Sequence, residues 1–432
     1  MKMELKNKKV WIGLLFTALF LFVFRLGYFI QIPFVSLDAV KTLFGSSESM
    51  FGFLDVFSGG ALSNFSIIAL GVSPYITSSI VVQLLQMDIV PVLKEWGEEG
   101  ATGREKLNNL TKYISLGLAF VQALTLVIGI SVSYYDAFFV VGTPTPVPAI
   151  IYVYLAVVLT AGTAFTLWLA ENITVRGVGN GTSMIIVAGI VSSFPDMIND
   201  LIQKYIVSGG EKIGNIFIFF GIIILMILII VAVVFMEEAQ RKIPIQYANR
   251  PATASFRGKN DSNIPIKLNS ASVIPVIFAS TLMSLPLTIA NFLNAGTAKT
   301  WLLNIFSTSE PIGFVLYAVL IVLFSFFYSF LQINPDKMAE DLQKQNAYIP
   351  GIRPGDETAS YISRVLFKIT MLGATYLVLV AILPIIITKI FNLPSSVQVG
   401  GTSLIIVVGV AIETAKQIKT QSQEKEYRGF IE

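Results

Sequence analysis

The chain contains no cysteine and no histidine. The first absence excludes disulfides, iron–sulfur clusters and thiolate catalysis; the second removes the commonest metal ligand and general base. Charge is scarce as well. Only 13% of the 432 residues are Asp, Glu, Lys or Arg, where a soluble domain carries about a quarter. Hydrophobic residues make up 54%, and the mean hydropathy is +0.73. A chain this apolar has lipid as its solvent. Net charge is only +3, so any anion-binding role depends on where the charges sit. Nothing in this composition calls for a metal or a cofactor.

A helix needs about 20 apolar residues to cross a hydrocarbon core of about 30 Å. Eight stretches meet that length: 10–30, 65–85, 113–132, 149–170, 213–235, 270–290, 312–331 and 366–390. Two shorter ones, 182–194 and 402–412, run on into amphipathic sequence. The first span follows Lys6, Lys8 and Lys9, but its apolar run is too long for a signal peptide and no small-residue cleavage site follows. It reads as a retained anchor. With ten spans and the N-terminus inside, 24 of the 30 Lys and Arg residues fall in cytoplasmic segments and 5 outside. Omitting the span at 182–194 reverses that balance, so the excess of positive charge inside requires it. Both termini are then cytoplasmic.

Five spans per half make any repeat between the halves an inverted one. The fifth span opens Gly181-Thr182-Ser183-Met184-Ile185-Ile186-Val187-Ala188-Gly189, and the tenth opens Gly401-Thr402-Ser403-Leu404-Ile405-Ile406-Val407-Val408-Gly409. The second contains Val72-Ser73-Pro74-Tyr75-Ile76, with Ser79 following. The seventh contains Val273-Ile274-Pro275-Val276-Ile277, with Ser280 following. These readings point to an all-α integral membrane protein of ten transmembrane helices in two inverted five-helix halves. The N-terminal half is 1–195, an external hinge loop is 196–212, and the C-terminal half is 213–432.

Pro74 and Pro275 each remove a helix N–H, so spans two and seven are expected to be kinked or broken. Interrupted helices at matching places in inverted halves point to the functional axis. The repeat pairs Ile76 with Ile277 and Ile186 with Ile406. Four isoleucines related by a two-fold axis make either lipid-facing surface or a narrow apolar ring that stops ions by dewetting. Residues 50–64 are apolar but interrupted by glycines and serines. They read as a small element seated in a water-filled funnel, or as a helix lying on the external surface. Arg25 lies about 22 Å along span one and is expected to snorkel to the external interface. A mid-membrane acid or histidine, which a proton- or sodium-coupled carrier needs, is not found.

Two long internal loops carry basic residues. Loop 237–268 holds Arg241, Lys242, Arg250, Arg257, Lys259 and Lys267. Loop 332–362 contains Ile349-Pro350-Gly351-Ile352-Arg353-Pro354-Gly355, a turn displaying Arg353. Such groups suit phosphates or acidic protein surfaces.

Several runs resemble, in order and spacing, the SecY family of protein-translocation channels. They are Phe24-Arg25-Leu26-Gly27 with Ile32-Pro33, Phe57-Ser58-Gly59-Gly60-Ala61-Leu62, and Gly71 through Ile76. Further on they include Asn180-Gly181, Val273-Ile274-Pro275, Ile349 through Gly355, and Gly400-Gly401-Thr402-Ser403-Leu404. The resemblance covers nearly the whole chain. It implies a clamshell around a central, hourglass pore, a plug (Phe57, Ser58, Gly59, Gly60, Ala61 and Leu62), and a lateral gate between spans two and seven. It implies a plasma-membrane channel for unfolded polypeptides and signal peptides, releasing membrane segments sideways into the bilayer. It further implies SecE and SecG as membrane partners, with the SecA ATPase or the ribosome docking on the basic loops. By position the pore ring becomes Val72, Ile76, Thr182, Ile186, Ile277 and Ile406; Thr182 departs from the bulky aliphatic expected there. Pro74, Thr77, Gln122, Asn269 and Pro275 fall at the gate. An accessory export paralogue is the rival reading, which the basic loop and Arg353 disfavour. A solute carrier lacks its ion site, and an intramembrane enzyme lacks histidine, cysteine or a buried acid pair.

Overall fold

The computed structural model describes residues 8–36, 40, 55, 58–86, 89–139, 148–207, 212–247, 263–292, 296–308, 310–391 and 395–428. Ten of its helices carry the apolar stretches; among the described residues seven are long and apolar enough to cross a membrane, or eight if one bent pair counts as a single span. In the N-terminal half they are α1 (Lys8–Tyr28), α2 (Ser73–Gln86), α4 (Ala101–Phe138), α5 (Ala149–Arg176) and α6 (Gly181–Ile202). In the C-terminal half they are α7 (Lys212–Glu238), α8 (Ile274–Phe292), α10 (Pro311–Gln332), α12 (Asp356–Phe391) and α13 (Ser395–Arg428). Short helices α3 (Pro91–Glu98), α9 (Thr297–Phe306) and α11 (Pro335–Lys344) lie between spans.

Several helices outrun their apolar stretch. α4 has 38 residues, α12 has 36 and α13 has 34. The apolar window marks only the length in hydrocarbon, while backbone hydrogen bonds continue into polar sequence. α2 is the opposite case. It has 14 residues, about 21 Å, which cannot cross the membrane alone. Residues 65–72, expected to be helical, form successive turns instead, with Ala69 N–H on the Ser66 carbonyl, Gly71 on Ile68 and Ser73 on Leu70. Pro74 and Pro275 therefore do not kink their spans. Each stands in the first turn of its helix, where the missing N–H costs nothing. The break expected in span two lies ahead of the proline.

The halves meet through the helices that the repeat singled out. α2 packs against α8, and α6 against α13. Lipid is as apolar as leucine, so burial of aliphatic surface does little to hold membrane helices together, and close approach of small residues matters more. Gly162 of α5 lies against the Ile67 backbone, and Gly181 of α6 against the Ala170 backbone; a Cβ on either would collide with a carbonyl oxygen.

One end of the bundle carries strands, which the sequence reading did not anticipate. β1 (Gln240–Pro244) pairs antiparallel with β3 (Asn263–Lys267), and β2 (Gln246–Tyr247) with β4 (Ala347–Tyr348). The β2–β4 pair ties the two long loops together. Beneath them Ile243, Ile266, Leu342, Ile349 and Ile362 form a separate apolar cluster.

Candidate functional site: an apolar constriction and its plug

Val72, Ile76, Ile186 and Ile406 are buried in one apolar cluster, and half-buried Ile277 packs on it. These five side chains come from α2, α6, α8, α13 and the turn before α2, so both halves contribute. Ile185, Val273, Val276 and Ile405 fill the spaces between. Thr182 is half-buried in the first turn of α6. Asn180 caps α6: its Oδ1 accepts the Thr182 N–H at 3.1 Å and the Thr182 hydroxyl at 2.7 Å. The Thr182 hydroxyl thus has a partner at the terminus of its own helix.

Of the six residues that the resemblance assigns to a plug, Phe57 lies outside the described residues. The others form a compact knot. Ser58 is buried; its hydroxyl donates to the Asp55 carbonyl (2.8 Å) and accepts from the Leu62 N–H (3.2 Å). Asp55 Oδ1 accepts the Ser63 N–H at 2.8 Å. Gly59 and Gly60 have φ of +70° and +80°, which L side chains rarely adopt. Ala61 enters the central cluster, and Leu62 packs with Leu126, Leu155 and Leu159 of α4 and α5. Ser58, Ala61 and Leu62 are therefore seated inside protein, not on an external surface.

Arg25 is not a snorkelling side chain. It is half-buried, and one guanidinium nitrogen donates to the Gly59 carbonyl (3.0 Å) and the Ser192 hydroxyl of α6 (3.1 Å). Its guanidinium also lies 4.0 Å from the centre of the Tyr28 ring, a cation–π contact. Gly59 meets Gly189 of α6 so closely that a Cβ there would overlap the Gly189 Cα. Sequence reasoning missed this seat. The available signal was that a charge at that depth needs acceptors, and the carbonyls of the glycine-rich run supply one.

At the seam, α8 packs against both α2 and α4. Thr77 is buried with its hydroxyl on the Ser73 carbonyl (3.2 Å), and Gln122 is half-buried on α4. Pro74 and Pro275 are buried at the starts of the two helices. Asn269 is not at the seam's centre but at its root, donating to Glu237 Oε1 at 2.8 Å. Glu237 is only 4% exposed, and neither it nor Asp55 was singled out from the sequence.

Arg241 and Lys242 are exposed on β1. Arg353 is 87% exposed, 3.9 Å from Glu357, on a turn whose Gly351 and Gly355 have φ of +82° and +103°. The strand pairing brings these cations to the same end of the molecule. Arg250, Arg257 and Lys259 lie outside the described residues.

A ten-helix bundle whose two halves meet through a buried apolar cluster, with residues 58–62 packed beside it, defines a multi-pass membrane protein. The SecY family model matches residues 66–415. Relatives include the protein translocase subunit SecY of Halalkalibacterium halodurans, 46% identical and covering 96% of both chains. That of Bacillus subtilis is 42% identical and covers 99% of this chain and 97% of its own. The chain belongs to the SecY family. Solved structures share the fold at low identity. One described as a protein-conducting channel has a TM-score of 0.61 at 19% identity, covering 96% of this chain and 93% of that one. Sec61 from the canine ribosome–channel complex has a TM-score of 0.58 at 18%, with the same coverages.

Proposed function

We propose that this protein is a protein-conducting channel. It passes unfolded polypeptides and signal peptides through the constriction and releases apolar segments sideways, between α2 and α8, into the bilayer. The observation that supports this reading is the buried apolar cluster at which the two halves meet. Side chains from both halves meet there without a fixed charge, so the passage makes no specific demand on a passing residue and dewets when empty. Val72, Ile76, Ile186, Ile277 and Ile406 are the seal, with Thr182 at its rim. The 50–64 segment is the plug, and Pro74, Thr77, Gln122, Asn269 and Pro275 flank the gate.

The face bearing β1–β4 is cytoplasmic, as are both termini, because that orientation keeps most basic residues inside. The compartment is the bacterial plasma membrane. SecE and SecG are the membrane partners, and SecA or the ribosome docks on the basic loops. The test is reconstitution with SecE, SecA and ATP in proteoliposomes, scored by protease protection of a signal-bearing precursor. Native protein is expected to protect it. Arg353→Glu is expected to lower protection by about tenfold or more, since a like charge at a docking surface costs several kcal/mol, with SecE co-purification unchanged. A precursor never protected with native protein overturns the reading.

The plug seat is expected to depend on pH. Burial pushes the Asp55 carboxyl above the usual carboxylate range, against hydrogen bonds from Ser63 that pull it down. Its protonated form suits the seat, so the seat is firmest in acid and weakens as pH rises through that raised value. Resting current through planar bilayers is expected to fall on acidification, and Asp55→Asn to flatten the dependence. A native profile without slope there sinks the idea.

A further inference from the structure

The chain leaves the membrane at Glu237, runs out along β1, returns along β3, and re-enters at Asn269. The ribbon continues to its very base: Gln240 pairs with Lys267, and the Leu268 N–H donates to the Ala239 carbonyl at 2.9 Å. One step further down, the pairing passes from backbone to side chains. Asn269 Nδ2 donates to Glu237 Oε1 at 2.8 Å and to the Ser272 carbonyl at 3.1 Å, and the Ser272 hydroxyl donates to the same Oε1 at 3.2 Å. Lys416 of α13 reaches the Glu237 carbonyl at 3.3 Å. The carboxylate is buried at the C-terminal end of α7, where the helix dipole disfavours a negative charge. Such a placement persists only if hydrogen bonds hold it.

What Glu237 holds is the segment 269–273, whose turns lead directly into α8. Ser272 has φ of +53°, a conformation a serine keeps only when its surroundings impose it. Gly373 of α12 backs the same segment, close enough that a Cβ would press on the Leu268 carbonyl. α8 in turn packs against α2 and α4 at the seam. The root of the gate helix is thus pinned to α7 through one carboxylate, immediately under the ribbon that displays Arg241 and Lys242.

We propose that Glu237 is a positioning residue for gating. Its acceptor oxygen clamps the Asn269–Ser272 turn, and a partner that displaces the β1–β3 ribbon loosens the clamp and frees α8 from α2 and α4. The role of α8 rests on the channel reading above. The clamp itself does not. Glu237 acts through Asn269 and Ser272, and it touches no transported chain.

The test is hydrogen–deuterium exchange of peptides covering 268–283 in the purified full chain, alongside resting current in planar bilayers. Glu237→Ala is expected to speed exchange there by about tenfold or more, the loss of two hydrogen bonds to a charged acceptor, and to raise resting current. Exchange in α5 is expected to stay native. Glu237→Gln keeps an acceptor oxygen, and is expected to return both readouts to within about threefold of native, since an amide is a weaker acceptor than a carboxylate. Asn269→Ala added to Glu237→Ala is expected to change little further, because the two act as a unit. Native exchange in 268–283 for Glu237→Ala overturns the clamp, as does a Gln variant as disturbed as the Ala one. Fast exchange with unaltered current leaves the clamp standing and removes the gate role assigned to α8.

Discussion

Replacing Ile406 with asparagine is expected to open a resting ion leak while protein transport persists. Ile406 is 2% exposed within the central cluster, so an amide there has no water and no apolar-compatible partner. An unpaired buried amide costs about 1–3 kcal/mol by mutational measure. That shifts a closed–open equilibrium roughly five- to hundredfold toward states in which the amide is wet. Ile277→Asn is expected to act in the same direction but less, since that side chain is already half-buried rather than sealed. Thr182→Ile is the control. Its hydroxyl serves the Asn180 cap rather than the cluster, so resting current is expected to stay near native. Single-channel recording in planar bilayers decides the matter. Unchanged current in both asparagine variants would make these side chains ordinary packing residues.

Gly162→Val is expected to cost most of the assembled protein. The Ile67 carbonyl occupies the place of its Cβ, so the turn segment 65–72 has to move away from α5. That segment delivers Val72 to the constriction and positions the start of α2. Overpacking costs about 1–3 kcal/mol where neighbours can yield, and more where the neighbour is backbone. Thermal unfolding in detergent is expected to fall by several degrees for Gly162→Ala, and further for Gly162→Val. Gly117→Ala, with nothing within 4 Å of its Cβ position, is expected to hold or gain slightly from better helix propensity. Equal melting of the Gly162 and Gly117 variants would show that the close approach is not needed.

The path of the chain through the membrane was legible because lipid imposes a rule on every residue of a span. A helix stands on each of the ten apolar stretches, including the short one at 182–194, although residues 65–72 of the second are turns. The internal repeat was legible for a related reason. The paired Gly-Thr-Ser-x-Ile-Ile and Val-x-Pro runs occupy α6 with α13 and α2 with α8, and each pair is in contact. Helix ends were less legible. A hydropathy window measures contact with hydrocarbon, and the backbone ladder does not stop where that contact stops, as α4 and α13 demonstrate.

What sequence by itself determined, then, is local: the solvent of each segment, the number of crossings, the repeat, and the turn around Arg353. Each follows from the chemistry of a few consecutive residues. Tertiary structure decided whatever depends on partners distant in sequence. Arg25 looked like a side chain reaching for water, and its acceptors are 34 and 167 residues away on Gly59 and Ser192. Glu237 looked like the first residue of a solvated loop and is buried, because Asn269 returns to it after 32 residues. A polar group's role is set by which donor or acceptor reaches it, and only the folded chain brings those atoms within hydrogen-bonding distance.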